Sequence, residues 1–412
     1  MAGSIFSRPC ARPRALSNAI IFAASALTIA AFFSCKTVSL QKPDAPDARR
    51  RPIGAQPTVS APPLVLTLAG DIMAHSVNWQ MDDYSLIYKD IENLLLHDDL
   101  SFANFETPVY ADRPYETYPA FNVQPPYAQA AIDAGFDVFS LANNHTNDQG
   151  LNGMEATREF FAGAKAQGRD VYSAGIKSGP GAPLTSALIT VNGWTVLFAA
   201  VTEILNSPAH AARIDYIAPN KKSRDDFLLQ IAEMRAKNPC DIFVLSIHSN
   251  EEEYIHTVSD SQKNFYRSLL DAGVDIVWAN HVHVARGWEI IGGENEKRLE
   301  KIIFYSAGNT ISGQRTRLSL SNPANNRDNT GDGFLFSVRI ERDAGGWKIA
   351  AVTPIIITTY RDELGRYTIK MLNDNFIAWL REKGKNDEAD YFAKREEIMR
   401  SITGTTIWQL KN

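Results

Sequence analysis

From residue 64 onward, short apolar runs alternate with segments whose apolar positions recur at helical spacing. The runs predict strands at 64–69, 100–105, 136–141, 242–247 and 274–278. The patterns between them predict helices at 84–96, 125–134, 153–166, 223–236 and 261–272. Strand–helix–strand alternation folds into a mostly parallel sheet covered by helices. Residues 184–201 read instead as a hairpin about Asn192-Gly193, a dipeptide suited to the left-handed positions of a tight turn. Later runs at 288–291, 302–305, 334–340 and 347–357 have no helices between them, which predicts an antiparallel second half. The pattern as a whole predicts an α/β sandwich of mixed sheets with helices outside, over 64–360. A helical extension, 361–412, follows it, with Phe376, Trp379, Leu380, Phe392 and Ile398 available for packing.

Upstream the pattern changes. Arg8, Arg12 and Arg14 precede an apolar stretch, 19–33, that ends at Ser34-Cys35. That stretch is short for a membrane span of ~20 residues and has the shape of a secretory signal, so 1–34 is expected to direct export. Cys35 after a small residue resembles the cleavage and acylation site of bacterial lipoproteins, although Phe32 and Phe33 depart from the usual residues. The expectation is a lipidated Cys35 anchored in the membrane of the cell envelope, on the periplasmic or outer surface. An ordinary signal peptide and an uncleaved anchor are the alternatives. Residues 35–63 carry Pro43, Pro46, Pro52, Pro57, Pro62 and Pro63 among charged and small residues and predict a tether.

Composition narrows the function. The 412 residues carry a formal net charge of -5 and are 44% hydrophobic, so a large core is available and nucleic acid is excluded as a general partner. Of the three cysteines, Cys10 leaves with the signal and Cys35 is the lipidation candidate. Cys240 then has no partner for a disulfide and is expected to be a buried small residue.

Chemistry collects at the ends of the predicted strands. Gly70-Asp71 ends the first, Asn104-Phe105-Glu106 the second, Asn143-Asn144-His145 the third, His248 a later one and Asn280-His281-Val282-His283 the last of the set. The carboxyl edge of an open α/β sheet is where ligands bind. Singly, a strand-terminal Asp caps a helix and a lone His is a hydrogen-bonded structural residue. Jointly they supply the oxygen and nitrogen donors that divalent transition metals take. The period of two along a strand is expected to point both imidazoles of His281 and His283 the same way. His75, His97, His210 and His256 are assigned to the surface, with His75 the least settled because it lies near Asp71.

Gly70-Asp71-Ile72-Met73, Asn104-Phe105-Glu106, the string from Asn143 through Asn144-His145-Thr146-Asn147-Asp148-Gln149 to Gly150, His248, His281-Val282-His283 and Tyr305-Ser306-Ala307-Gly308-Asn309 together resemble the CapA family of capsule or poly-gamma-glutamate synthesis proteins. The resemblance spans 64–357 and is most specific in the Asn-Asn-His-x-x-Asp-x-Gly string. That family resembles the calcineurin-type metallophosphoesterases, which implies a metallophosphoesterase-like sandwich with one or two divalent metal ions, Mn, Zn or Fe.

By the same resemblance Asp71 binds the first metal and Glu106 takes the bridging position. Asn144, His248 and His281 bind the second, and His283 returns to the first. His145 is then the general acid or an anion contact. Asp148 either orients His145 or forms the turn before Gln149-Gly150. Met73 stands where the phosphoesterases place a first-metal histidine, Glu106 replaces their bridging Asp, and Asn280 replaces a glycine before His281.

Two functional expectations follow. One is a metal-dependent phosphoesterase-like hydrolase acting on a phosphoester or an anionic polymer, polyglutamate or capsule. The other is a non-catalytic, metal-containing accessory subunit or polymer-binding protein of a membrane polymer synthase. Arg315, Arg317 and Arg327, in the polar stretch 312–333, either meet the anionic substrate or form a solvated loop.

Overall fold

The computed structural model describes residues 62–166, 171–292, 299–403 and 408–409. The expected signal, the lipidation candidate Cys35 and nearly all of the expected tether lie outside them. In chain order the first half comprises β1 (Leu64–Ile72), α1 (Ser76–Trp79), α2 (Ser85–Tyr88), α3 (Glu92–Leu95), β2 (Leu100–Phe105), α4 (Pro125–Asp133), β3 (Val138–Ser140), α5 (Gly150–Ala166), β4 (Tyr172–Ala174), β5 (Ser186–Val191) and β6 (Trp194–Thr202). The second comprises α6 (Lys221–Lys237), β7 (Ile242–His248), α7 (Asp260–Asp271), β8 (Ile276–Asn280), β9 (Trp288–Gly292), β10 (Leu299–Phe304), β11 (Asn309–Ile311), β12 (Asp332–Asp343), β13 (Gly346–Arg361), β14 (Tyr367–Met371), α8 (Asp374–Glu382), α9 (Asn386–Thr403) and β15 (Trp408–Gln409).

Two mixed sheets result. The first runs β14-β13-β12-β1-β2-β3-β4, with β11 added beside β1 and β15 beside β13; the second runs β5-β6-β7-β8-β10-β9. β1 through β4 are parallel, as are β6, β7, β8 and β10, while β12, β13 and β14 pair antiparallel.

The pleat explains the layers. On β6, Val196, Phe198 and Ala200 face the core shared with the first sheet, whereas Leu197, Ala199 and Val201 face a second core with Phe227 and Ile231 of α6 and Leu269 and Leu270 of α7. Between the sheets, Phe102 packs edge-on against Phe198 and Trp278, and the Trp278 indole N–H donates to the Ala69 carbonyl at 2.8 Å. On the first sheet's outer face, Phe161 of α5 meets Phe105 and Phe139. β7 is buried at every position, as a strand covered on both faces must be.

The structure differs from the sequence expectations in several respects. The helix at 84–96 is two single turns, α2 and α3, which with the Ile91 between them bury Ile87, Tyr88, Ile91 and Leu95. The segment beyond 361 also carries β14 and β15, which extend the first sheet, besides α8 and α9. The polar stretch 312–333 is no solvated loop throughout: Ser312, Arg315 and residues 328–332 are buried. Cys240 is half-buried, beside the Arg235 guanidinium at 2.8 Å. The hairpin about Asn192-Gly193 forms as its sequence requires, with φ of 49° and 79°.

Candidate metal centre

Sheet register gathers the donors. Asp71 lies across from Asn104 on β2 and from Asn309 on β11. The close approach behind Asp71 demands glycine: a Cβ on Gly70 would sit 1.8 Å from the Gly308 carbonyl oxygen, to which the Asp71 N–H donates at 3.1 Å. Asn104 Nδ2 donates to Asp71 Oδ1 at 2.8 Å and to Glu106 Oε2 at 3.1 Å, tying the two carboxylates together.

From the second sheet, His248 ends β7, and its Nε2 lies 2.8 Å from Asn144 Oδ1, 3.1 Å from His281 Nδ1 and 3.6 Å from Glu106 Oε1. His283 Nδ1 lies 3.1 Å from both Asp71 Oδ2 and Asn309 Oδ1, while its Nε2 lies 3.8 Å from Glu106 Oε1. Two groups of donors emerge, Glu106 with His248 and His281, and Asp71 with Glu106 and His283, all buried and sharing Glu106. Asn144 adjoins the first group through His248.

The His-x-His geometry differs from the expected one. Both histidines lie past the end of β8, so no pleat aligns them; His281 and His283 adopt φ of 105° and 58° instead. Left-handed backbone at non-glycine residues is strained and persists where surrounding contacts enforce it. Here it turns both rings inward, with centroids 6.0 Å apart.

Burial dominates the electrostatics. It lowers His248 well below the ordinary histidine value, helped by His281 and His283, and lowers His281 to about 4, helped by His283. Both therefore stand neutral, the form in which imidazole binds a metal. Burial also acts to lower His283, but the hydrogen bond and charge of Asp71 outweigh it and the net shift is upward. Glu106 is raised well above the ordinary carboxylate range by burial and then by the Asp71 charge. Its Oε1 is fully buried and accepts no hydrogen bond. A buried carboxylate oxygen with no hydrogen-bond donor, 3.6 and 3.8 Å from the His248 and His283 rings, fits a cation, whose charge would offset the cost of ionising it there.

His145 stands at the edge of this cluster. Its Nδ1 lies 2.6 Å from Asp148 Oδ2, which also accepts the Phe121 N–H at 2.8 Å, and its ring meets the Phe121 ring edge-on at 4.7 Å. Asp148 thus contacts the His145 ring and also lies in the turn before Gly150, its N–H donating to the His145 carbonyl at 3.1 Å. His75, assigned to the surface, is half-buried at the rim: its Nδ1 accepts the Gly313 N–H at 3.1 Å, and burial, then His283, lowers it to about 4. His97 and His210 are exposed, and His256 is half-buried with Nδ1 2.9 Å from the Ala285 carbonyl.

The Arg315 guanidinium is held in a buried ion pair with Asp332 at 2.8 Å, and the Arg327 guanidinium donates to the Gln314 carbonyl at 3.0 Å. Met73 is buried, and its carbonyl accepts from the Tyr127 hydroxyl at 2.9 Å. Two contributors went unnoticed in the sequence. Asn206 Nδ2 lies 3.2 Å from His145 Nδ1 and its Oδ1 accepts from Asn144 Nδ2 at 3.1 Å, and half-buried Glu253 adds its charge to Glu106 and His283. Each sits in a loop without apolar periodicity, so no pattern marked it.

The chain is 28% identical over 313 residues to the PGA biosynthesis protein CapA of Bacillus subtilis (strain 168), covering 73% of this chain and 74% of that one. It is 28% identical over 272 residues to the capsule biosynthesis protein CapA of Bacillus anthracis, 61% of this chain and 60% of that one. A probable polyglutamine synthesis accessory protein of Mycobacterium tuberculosis (strain ATCC 25618 / H37Rv) is 28% identical over 225 residues, 52% of this chain and 55% of that one. Among solved structures, the calcineurin-like phosphoesterase YfkN of Bacillus subtilis aligns over 81% of this chain and 100% of that one, at a TM-score of 0.40 and 12% identity. At that score the fold rests on the strand order described above. The family model described as bacterial capsule synthesis protein PGA_cap matches residues 65–314, which contain every donor of the two groups, and the chain belongs to that family.

Proposed function

We propose that this protein is a metal-dependent hydrolase of phosphoester or related linkages in an anionic polymer of the cell envelope, or in its precursor. The observation that carries the reading is the shared, donor-less Glu106 oxygen between two buried groups of ligand type. Asp71, Glu106 and His283 would hold one cation and Glu106, His248, His281 and Asn144 the other. Bound there, divalent cations supply positive charge that polarises a phosphoryl or acyl oxygen and lowers the pKa of a water.

The chain's own residues do the rest. Asp148 fixes the His145 ring through Nδ1, which leaves Nε2 to pass a proton to a leaving oxygen. Asn104 holds the Asp71 and Glu106 carboxylates in one orientation, and Asn309 does the same for His283. By the sequence upstream of residue 64, the enzyme works outside the cytoplasm, anchored through lipidated Cys35 beside a membrane polymer synthase.

The test is elemental analysis of purified protein, wild type and Asp71→Ala and His281→Ala, followed by turnover on phosphoesters and glutamate oligomers. Stoichiometric metal lost in the variants, with metal-dependent turnover, is expected. A metal-replete protein inert on every substrate overturns the hydrolase. A second reading then takes its place, an accessory subunit of the synthase, which Met73 at the position of a metal-binding histidine and the name of the mycobacterial relative, a probable accessory protein, favour. In that case His145→Ala leaves polymer production unchanged.

A further inference from the structure

The loop 249–259, between β7 and α7, is laced to the segment that carries the two strained histidines. The Ser249 N–H donates to the Asn280 carbonyl at 3.2 Å, the Tyr254 N–H to the Val282 carbonyl at 2.9 Å, and Arg286 Nε to the Ile255 carbonyl at 2.8 Å. Buried Arg286 also pairs with Glu251, whose Oε1 accepts the Ser259 N–H at 3.1 Å. The lacing holds Tyr254 at φ 66°, a left-handed backbone that a bulky residue adopts where its surroundings enforce it. Packing of the ring does not repay that strain, since Tyr254 is 41% exposed.

Three consecutive glutamates precede Tyr254, and they are placed differently. Glu251 is committed to Arg286, Glu252 is exposed, and Glu253 is half-buried. The Glu253 Cα is two covalent bonds from the Tyr254 nitrogen, so it lies at most ~6 Å from the carbonyl oxygen of Val282, the residue between His281 and His283. Tyr254 sets its ring 6.1 Å from the His283 ring, and its hydroxyl accepts at 3.4 Å from Gln314. Gln314 Oε1 accepts in turn at 2.8 Å from Asn309, whose Oδ1 lies 3.1 Å from His283. The loop therefore starts the Glu253 side chain beside the metal centre. After burial and their immediate neighbours, its charge also acts on Glu106, His281 and His283.

The donor groups have room for it. Glu106, His248 and His281 have Asn144 beside them, whereas Asp71, Glu106 and His283 stand one donor short of that number. The carboxylates in the two groups are Asp71 and Glu106, which leaves two divalent cations with an excess of positive charge that a third carboxylate reduces. Neither group contains Glu253 in the structure, and its half-buried side chain is free to change rotamer at a cost of about 1 kcal/mol or less. We propose that Glu253 is a further cation ligand, drawn in from the loop to complete the group of Asp71, Glu106 and His283. The inference rests on the metal-binding part of the proposed function and is indifferent to turnover.

The experiment is isothermal titration calorimetry of Mn²⁺ and, separately, Zn²⁺ into metal-free wild type, Glu253→Gln and Glu252→Gln, with thermal melts of the three metal-free proteins. Expected are a weakening of about tenfold or more at one site in Glu253→Gln and a change of about twofold at most in Glu252→Gln. Metal-free Glu253→Gln should melt no lower than wild type, because it removes a negative charge near Asp71 and Glu106. Equal affinity in Glu253→Gln and wild type overturns the inference. So does an equal loss in Glu252→Gln, which marks a general field effect, or a lower melting temperature in metal-free Glu253→Gln, which marks a structural residue. Wild type that binds neither metal sinks this inference and the metal-dependent hydrolase together, whereas wild type that binds metal and turns over no substrate sinks the hydrolase alone.

Discussion

Replacing Asp332 by Asn should cost more stability than any change at the protein surface. Asp332 Oδ1 accepts from Arg315 Nη1 at 2.8 Å and from the Thr358 hydroxyl at 2.6 Å, while Oδ2 accepts from Arg395 Nε at 2.6 Å. All three charged side chains are almost wholly buried, at 1% exposure or less. Burial works to raise the Asp332 carboxyl, but the two guanidinium groups overcome it and hold it below the ordinary value. Asparagine keeps the volume and removes the one charge that serves both arginines. Breaking a buried pair costs about 3–5 kcal/mol, and two stranded cations place this case at the upper end. At roughly 2 °C per kcal/mol for a chain of this size, the melting temperature should drop by about 10 °C. Circular dichroism melts and urea titrations of purified wild type and Asp332→Asn measure it. A loss under about 1 kcal/mol refutes the assignment of Asp332 as the neutralising group. The triple variant Asp332→Leu/Arg315→Met/Arg395→Leu separates charge from packing, since an apolar replacement of a whole buried network is near neutral. Asp332 titrates in the opposite sense to a raised group: its stabilisation is present above the unfolded value of 3.8 and is lost as pH falls below it.

Glu106→Gln should abolish binding of both cations, not one, because the two donor groups share that carboxylate; elemental analysis reads the stoichiometry. With its raised pKa, Glu106 favours the metal-free fold below its unfolded value and disfavours it as pH rises through the folded value, so metal-free Glu106→Gln should melt higher than metal-free wild type at pH 7. Asn206→Ala should leave metal content intact and lower turnover about tenfold through a misplaced His145, in line with losses from outer-sphere partners; unchanged turnover rejects Asn206 as a positioning residue. Cys35→Ser should shift the protein from the membrane fraction to the soluble exported fraction; an unchanged distribution, with no incorporated fatty acid in wild type, removes the lipid anchor.

The strand ends were legible because burial on both faces writes itself as an apolar run, and polar residues that follow such runs at Asp71, Glu106, Asn144, His248 and His281 stand out against it. The supporting network was not. Asn206 comes from a loop whose position only the finished fold determines, and Arg315 reads as a loop cation until Asp332, Thr358 and Thr359 are seen around it. The inward turn of His281 and His283 looked like a strand's alternation but is a left-handed backbone, which residue types alone do not announce. β14 escaped notice because its five residues follow the Gly365 turn with alternation too brief to compete with the helical pattern after it.

Asp71, Glu106, Asn144 and His145 come from the edge of one sheet, and His248, His281 and His283 from the edge of the other. Each sheet therefore carries a half-site, and neither half offers a full set of donors before the two sheets dock. Cations held across that seam would act late in folding, after the rate-limiting assembly, and their effect would fall on the reverse reaction. Chelation should accordingly hasten unfolding while leaving the refolding rate nearly unchanged, so the chemistry of the site would also set how long the fold survives.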